Sequence, residues 1–351
     1  KKCLKKKKKF MNLLIQNFFK RKLLSFIYLF FLGVISAFSL PPYNYFIINF
    51  VTFSLFFIFI YNKKKITPNN KFFFMYGWFF GFGYFLSSLY WISISLTFDQ
   101  SLKILIPFAI VLVPAFLGIF YGLITYLFSV FYYKKIIISF LLFSIFFGTI
   151  ELIRGFIFTG FPWNLIVFSF SENLNFIQIL SVIGSYALNL ICISLFTCPA
   201  LFILRKSKNE VLLCSFFIII SVSFLIFGTI KNNQFNLLKN IKHDYIIRAI
   251  SSNISLDRFY SGQDELKIIN ELISLSNPKS EENTIFLWPE GIIPDTNLSD
   301  MKIYESFFLK NFSKNHLIVM GINNVKNKDN KNFYYNSLAI FDNQLNLIDS
   351  Y

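Results

Sequence analysis

The chain has 351 residues, of which 55% are hydrophobic, and its formal net charge is +16. This apolar content, with a mean hydropathy of +0.56, excludes an ordinary soluble globular domain. The charge would suggest nucleic-acid binding if it were spread evenly, but residues 1–230 hold 21 Lys and Arg against four Asp and Glu, whereas residues 231–351 hold 13 against 14. The basic excess therefore belongs to the apolar part of the chain, and nucleic-acid binding is disfavoured.

Apolar segments long enough to cross a bilayer recur through the first two thirds of the chain. They predict a membrane domain of about seven spans at residues 23–230, after a basic tail at residues 1–22. The predicted spans are Leu23–Leu40, Tyr43–Tyr61, Phe72–Leu96, Ile104–Tyr133, Ile136–Ile153, Leu174–Leu204 and Val211–Ile230. In the fourth, the most uncertain in its bounds, Pro107 and Pro114 predict a kink or a re-entrant start.

The first apolar segment favours a retained span over a cleaved signal peptide, because Pro41-Pro42 leads directly into the next span. Lys1 and Met11 are both open as the start of the natural protein. The lysine-rich residues 1–9 are expected to be disordered.

The basic residues predict the orientation of the spans. Nineteen of the 21 in residues 1–230 precede the first span or fall in the loops after the second, fourth and sixth. Only Lys103 and Arg154 fall in the other loops. Cytoplasmic loops are enriched in Lys and Arg, so the tail is predicted to be cytoplasmic and the part after Ile230 to lie outside the cytoplasm.

Residues 231–243 are polar and suggest a linker, and from Asp244 the pattern changes to short alternating elements. They predict the order β-α-β-α-β-β-β, with Ser299 as a possible N-cap of the second helix. The predicted elements are Tyr245–Ile250, Gly262–Ser276, Thr284–Trp288, Asp300–Phe312, Leu317–Gly321, Tyr334–Phe341 and Leu345–Tyr351. Residues 244–351 are thus predicted to form an α/β sandwich that is only partly present.

Cysteine and histidine give no indication of a metal site or a disulfide framework. The two histidines, His243 and His316, stand alone, and no cysteine lies in residues 231–351. Cys192, Cys198 and Cys214 lie in or near apolar segments, where thiols are usually packing residues. We expect neither a metal nor a cofactor.

Glu290 is the candidate catalytic residue. The apolar run Ile285–Leu287 predicts a buried strand, and Pro289 ends it because proline cannot donate to a sheet ladder. Glu290 therefore projects from a strand end, where open α/β folds place their chemistry. On the motif Trp288-Pro289-Glu290 alone, an ordinary solvated carboxylate is the more common alternative.

Several stretches, taken in order, resemble the apolipoprotein N-acyltransferases of bacterial inner membranes. Besides Trp288-Pro289-Glu290 they are Gly33–Tyr43, Gly77–Leu96, Glu151–Trp163 (ELIRGFIFTGFPW), Asn253-Ile254 and Tyr335-Asn336-Ser337. The resemblance implies a multi-pass α-helical membrane bundle followed by a nitrilase-like αββα domain, here partial, on the periplasmic side. It also implies a phospholipid acyl donor and a diacylglyceryl apolipoprotein as acceptor.

The chemistry implied by the resemblance uses a glutamate base, a lysine and a cysteine nucleophile in one pocket. Only Glu290 can be assigned here; the lysine is expected just after Tyr351 and the cysteine beyond it. We therefore expect the 351-residue chain by itself to be inactive. Lys326, Lys328 and Lys331 precede Tyr335-Asn336-Ser337 and do not match the lysine of the family.

Three further residues are candidates for substrate binding: Arg154, Trp163 and Tyr260. Tyr260 stands at a position where the family has Trp. Glu151 and Arg154 are spaced to share a helix face. They form either an interfacial pair that snorkels at the end of the fifth span or, beside Trp163, a docking point for a lipid headgroup phosphate. Gly77, Gly81 and Gly83 favour close helix packing over ligand contacts.

Two other classes of function are open. The first is a catalytically dead, membrane-bound protein that binds lipid or a partner, because the chain offers no nucleophile near Glu290. The second is a transporter with an outer sensor domain, which is disfavoured because the predicted spans contain almost no ionisable residues.

Overall fold

The structure is a computed structural model that describes residues 22–67, 69–158, 160–238, 243–254, 265–328 and 331–351. The chain divides into two compact units, Lys1–Lys239 and Asn240–Tyr351. We refer to the first as the membrane unit and to the second as the sheet unit. Tyr260, a candidate binding residue, lies outside the described residues.

The described part of the membrane unit consists of helices and short connections. Its α-helices are α1 (Lys22–Ala37), α2 (Ile47–Ile66), α3 (Phe73–Leu89), α4 (Ile106–Val130), α5 (Ile136–Phe156), α6 (Leu174–Ile177), α7 (Leu180–Ile203) and α8 (Lys208–Leu238). Six of the seven predicted spans contain a helix long and apolar enough to cross a membrane. At the first predicted span, α1 is apolar but has 16 described residues. The multi-pass helical bundle is thus confirmed.

Glycines let three of these helices pack closely. A Cβ on Gly83 would collide with the backbone of Phe30 in α1, and one on Gly77 with the backbone of Tyr121 in α4. At Gly81 the nearest atom would be the Cβ of Tyr121, 2.7 Å away. Small residues permit such approach where hydrocarbon tails surround the bundle. The prediction that these glycines serve helix packing is confirmed.

The fourth predicted span contains the continuous helix α4, preceded by 3-10 turns at Tyr90–Thr97 and Gln100–Leu105. Pro107 lies in the first turn, where its missing N–H costs no helical hydrogen bond. Pro114 lies inside the helix. A different interruption occurs in α7, where Gly184 has a φ of 76° and a non-helical ψ of 168°.

The last helix of the membrane unit is longer than its apolar segment. The polar residues 231–243 suggested a linker, but α8 continues to Leu238. Residues 231–238 of the predicted linker are therefore helical. A helix satisfies its own backbone hydrogen bonds, so it can continue past its apolar part with polar side chains exposed.

The sheet unit has five described strands in the order β1-β2-β3-β4-β5. They are β1 (Ile246–Ala249), β2 (Thr284–Leu287), β3 (His316–Lys328), β4 (Lys331–Phe341) and β5 (Leu347–Ser350). Strands β1, β2 and β3 are parallel, whereas β4 and β5 are antiparallel to their neighbours. Helix α9 (Glu265–Ser276) precedes β2 and helix α10 (Glu305–Asn311) precedes β3. The predicted order β-α-β-α-β-β-β is confirmed.

Two predicted elements differ in their bounds. The helix predicted at Asp300–Phe312 begins as a 3-10 turn, Leu298–Tyr304, and becomes α-helical only at Glu305. Asn297, not Ser299, precedes that turn, and its side chain makes no capping bond. Strand β3 extends past the predicted Gly321 to Lys328, because its polar second half pairs with β4 in a long hairpin.

The core of the sheet unit lies between the sheet and its helices. Ile269 and Leu272 of α9 are buried, as is Phe286 of β2. Trp288 packs with Phe308 of α10, their ring centroids 5.4 Å apart. Burial of these side chains fixes the end of β2, from which Glu290 projects.

Candidate functional site

The end of β2 is held from two sides. The Trp288 backbone N–H donates to the carbonyl oxygen of Val319 in β3 at 2.8 Å. Its indole Nε1 donates to Ser276 Oγ at the end of α9 at 2.9 Å, and its side chain is buried. With Trp288 fixed and Pro289 restricted in φ, the chain enters Glu290 along a defined path.

Glu290 is exposed, and its side chain is positioned by β4 and β3. Asn336 of β4 donates from Nδ2 to Glu290 Oε1. Gly321 of β3 lies beneath Glu290, since a Cβ added there would be 3.0 Å from both Cα and Cγ of Glu290. A larger residue at 321 would therefore push against the glutamate. The next residue, Gly291, has a φ of 59°, which favours glycine.

The loop after Glu290 is anchored by Asn323 of β3. Its Nδ2 donates to the Pro294 carbonyl oxygen at 2.9 Å, and its backbone forms an isolated parallel bridge with Asn297. Ile292 and Ile293 of the loop are buried. Both polar and apolar contacts therefore fix the backbone that follows Glu290.

A carboxylate at the start of α9 holds the same loop. Glu265 accepts hydrogen bonds from the backbone N–H of Asp295 at 2.9 Å, from Thr296 Oγ1 and from the hydroxyl of Tyr304 at 2.7 Å. Charge-assisted hydrogen bonds of this kind are stronger than neutral ones. Neither Glu265 nor Asn323 stands out in the sequence, where the one indication is an acidic residue in the first turn of a predicted helix.

The arrangement suits Glu290 to proton transfer. The amide of Asn336 donates a hydrogen bond but cannot titrate, so it orients the carboxylate without competing for its proton. The carboxylate is exposed, and it can accept a proton from a thiol or water brought against it.

In the membrane unit, Glu151 and Arg154 form a buried ion pair near the end of α5. Arg154 Nη1 donates to the carbonyl oxygens of Phe161 at 2.8 Å and Trp163 at 3.0 Å, and Nη2 donates to Glu151 Oε2. The snorkelling interpretation is wrong, because both side chains are only 1% exposed. The aromatic rings of Phe85 and Phe161 cover the guanidinium, at 5.3 and 5.7 Å.

Trp163 lies beside Trp91, with ring centroids 5.7 Å apart. Both rings are about half exposed and line a cavity of about 400 Å³. The Tyr84 hydroxyl donates to the Asn164 carbonyl oxygen at 2.9 Å and so fixes the chain next to Trp163. Arg154 and Trp163 are therefore joined through the backbone of one segment, residues 160–164.

The histidine, cysteine and lysine residues considered in the sequence make structural contacts. His316 is buried and makes hydrogen bonds with Ser313 and Lys279, as expected of a lone histidine. Cys192, Cys198 and Cys214 are buried, in agreement with the prediction of packing thiols. The Lys326 ammonium lies 5.8 Å from the ring centroid of Tyr335. In the described ranges, no three His, Cys, Asp or Glu residues are grouped to hold a metal ion.

These features define a multi-pass membrane protein with a mixed α/β unit that carries a carboxylate at a strand end. Residues 32–198 match the model of the apolipoprotein N-acyltransferase N-terminal domain. The chain is 28% identical to the apolipoprotein N-acyltransferase of Rhizobium rhizogenes over 346 residues, which cover 94% of this chain and 63% of the relative. It is 29% identical to that of Rickettsia typhi over 330 residues, which cover 92% and 62%. It is 27% identical to the protein of the same name from Rhodopseudomonas palustris over 278 residues, which cover 75% of this chain and 50% of the relative.

The predicted resemblance is thereby confirmed, since the chain is similar over most of its length to proteins named apolipoprotein N-acyltransferase. It spans between half and two thirds of the length of these three curated relatives. The match to the N-terminal domain model falls within the membrane unit, whereas the alignments to whole relatives extend over most of the chain.

Proposed function

We propose that the protein expressed from the complete gene transfers an acyl chain from a phospholipid to the N-terminal amine of a diacylglyceryl apolipoprotein. The observation that carries this proposal is Glu290, held at the end of β2 by Asn336 and supported by Gly321. The names of the relatives support acyl transfer as the reaction class.

In the proposed reaction Glu290 is the general base. It takes the proton of a cysteine thiol, and the thiolate attacks the ester carbonyl of the phospholipid. A lysine stabilises the oxyanion, and the lysophospholipid leaves as an alcohol that receives the proton. The lipoprotein amine then attacks the thioester, which forms an amide and restores the thiol. The cysteine and the lysine follow from the family resemblance, and Glu290 is the member of this set that the described residues contain.

The function is tested with protein expressed from the complete gene and reconstituted in phosphatidylethanolamine vesicles. A synthetic peptide that begins with diacylglyceryl-cysteine is the acceptor. A mass increase of the peptide by one acyl chain, with equal production of lysophospholipid, is the expected result. Binding of both lipids without transfer would instead favour the non-catalytic lipid-binding protein.

Asn336 is proposed to position the base. Replacing Asn336 with Ala removes the donor to Glu290 Oε1, and hydrogen bonds to charged groups contribute about 1.5–3 kcal/mol. We expect acyl-enzyme formation to slow by roughly tenfold to a hundredfold. Asn332→Ala is the matched control, because Asn332 lies on the same strand and bonds to Asn327 instead. Equal rates for the two variants would contradict a positioning role for Asn336.

We also propose that the protein lies in the bacterial inner membrane, with the basic tail in the cytoplasm and residues 244–351 on the periplasmic side. The distribution of Lys and Arg along residues 1–230 supports this orientation. In this arrangement the bilayer surrounds the helices of residues 23–230, and both lipid substrates reach the protein from the membrane.

The orientation is tested by a cysteine at Gln344, an exposed residue in the turn between β4 and β5. A membrane-impermeant maleimide is expected to label Gln344→Cys once the outer membrane is permeabilised, with the inner membrane intact. Ser207→Cys, in the loop before α8, is the control and should react only after the inner membrane is opened. The opposite labelling pattern would contradict the proposed orientation.

For substrate binding, we propose that Trp163 contacts lipid directly and that Arg154 holds the backbone segment on which Trp163 lies. The half-exposed indole and its cavity support the first role, and the hydrogen bonds from Arg154 to the carbonyl oxygens of Phe161 and Trp163 support the second. Tyr260 stays a prediction, as an aromatic wall for the substrate.

A further inference from the structure

A second cavity lies in the membrane unit, between α4 and the segment that follows α5. Its volume is about 320 Å³, in the range of small-molecule sites. Leu117 and Phe120 of its lining are buried, whereas Leu112, Phe116 and Phe158 are exposed. Exposed apolar side chains of a membrane unit face hydrocarbon, so the cavity opens towards lipid. We call it the α4–α5 cavity.

Arg154 is the one charged side chain among the described residues that line the α4–α5 cavity. Its Nη atoms are bound to Glu151 and to two carbonyl oxygens, but its buried Nε has no hydrogen-bond partner among the described residues. A buried donor without an acceptor is costly, and more so in hydrocarbon. A ligand in the cavity that brings an oxygen acceptor would supply the partner that Nε lacks among the described residues.

The charges of Arg154 and Glu151 favour a neutral acceptor over an anionic one. Glu151 already neutralises Arg154, and its Oε1 has no partner among the described residues. A phosphate or carboxylate on the ligand would add an unpaired negative charge beside Oε1 in a buried site. A neutral carbonyl oxygen would accept from Nε without that cost.

The depth of Arg154 agrees with the position of an ester group. Helix α5 begins at Ile136, directly after Lys134 and Lys135, and Arg154 lies roughly 27 Å further along its axis at ~1.5 Å per residue. The hydrocarbon core of a bilayer is about 30 Å thick. Arg154 is thus near the opposite boundary of the core, where the ester groups of lipids join headgroup to tail.

We propose that the α4–α5 cavity binds an ester-linked fatty acyl chain of a membrane phospholipid, with the ester carbonyl oxygen accepting a hydrogen bond from Arg154 Nε. The apolar lining takes the methylene chain, and the headgroup stays at the membrane surface. That this lipid is the acyl donor rests on the proposed function, but the binding itself does not.

The test is photolabelling of the full chain in vesicles of phosphatidylethanolamine and phosphatidylglycerol, without a lipoprotein acceptor. The probe is a phosphatidylethanolamine with a diazirine on one ester-linked chain, and labelled peptides are mapped by mass spectrometry. Labelling is expected on residues 112–120 and 157–161. Labelling confined to other parts of the membrane unit would overturn the proposal.

Two matched variants test the cavity. Leu112→Trp places a bulky ring on the exposed rim and is expected to abolish labelling of residues 112–120. Val111→Trp adds the same ring at the neighbouring exposed position, which does not line the cavity, and should label like the natural chain. Because both positions are exposed, neither change disturbs the core. Equal labelling of the two variants would overturn the proposal.

Two further probes test the chemistry at Arg154. A diether phosphatidylethanolamine with the same diazirine lacks the carbonyl, and its labelling is expected to fall by about tenfold, the effect of losing one hydrogen bond to a charged donor. A fatty-acid methyl ester should compete better than the ionised fatty acid. Equal labelling by ester and ether, or stronger competition by the acid, would overturn the neutral-carbonyl assignment. Labelling as expected in a protein that transfers no acyl chain would support this site while contradicting the proposed function.

Discussion

Replacing Glu290 with Gln, in the protein expressed from its complete gene, is expected to lower the rate of acyl-enzyme formation by about 10²–10⁴-fold. Glutamine keeps the size of the side chain and can still bond to Asn336, but it cannot take a proton from the thiol. Activation of the thiol is proposed to precede every later step, so triacylated product should fall together with the thioester. The measurement is thioester formation from labelled phospholipid before any lipoprotein is added.

Glu281→Gln is the control for this experiment. Glu281 is an exposed carboxylate of the same unit, in the turn before β2, and its replacement removes the same charge without touching the end of the strand. It should leave the rate unchanged. Near-normal acylation by Glu290→Gln would contradict the assignment of Glu290 as the base, whereas equal losses in the two variants would indicate an effect of net charge.

Breaking the buried ion pair of α5 is expected to have the largest effect on stability. Glu151→Ala leaves the Arg154 guanidinium buried without its carboxylate, and removing one partner of a buried pair typically costs about 3–5 kcal/mol. The free energy of unfolding, measured by denaturant titration in mixed micelles, should fall by that amount.

The double variant Glu151→Leu/Arg154→Met is expected to recover much of this loss, since no buried charge is left unpaired. Recovery should be incomplete, because the bonds from Arg154 to Phe161 and Trp163 are also removed. Leu152→Ala, at an exposed position of the same helix, is the control and should change stability little. A loss below about 1 kcal/mol for Glu151→Ala would indicate that the pair is solvated.

The sequence was sufficient for features that depend on local pattern. Apolar length predicted the helical spans, and the run Ile285–Leu287 with Pro289 predicted where β2 ends. The hydrogen bond between Asn336 and Glu290 could not be predicted, because the two residues are 46 positions apart. Their contact depends on the pairing of β3 with β4, in which Asn336 lies opposite Asn323.

The contrast between local pattern and distant contacts also explains the prediction for Arg154. The spacing of three residues predicted its pairing with Glu151, since such neighbours share a helix face. The burial of the pair depends on Phe85 from α3 and Phe161 from the following segment, which the pattern of α5 does not contain. The bounds of the helix near Asn297 were mispredicted for a similar reason, because contacts from Glu265 and Asn323 fix the preceding loop.

Arg154 holds residues 160–164 by the carbonyl oxygens of Phe161 and Trp163, which every amino acid possesses. The path of this segment is therefore largely independent of which side chains stand at those two positions. Substitutions there can reshape the neighbouring cavities while the backbone stays in place. Position 163 is thus suited to engineered libraries that vary the wall of its cavity, whereas the ring of Phe161 also covers the Arg154 guanidinium.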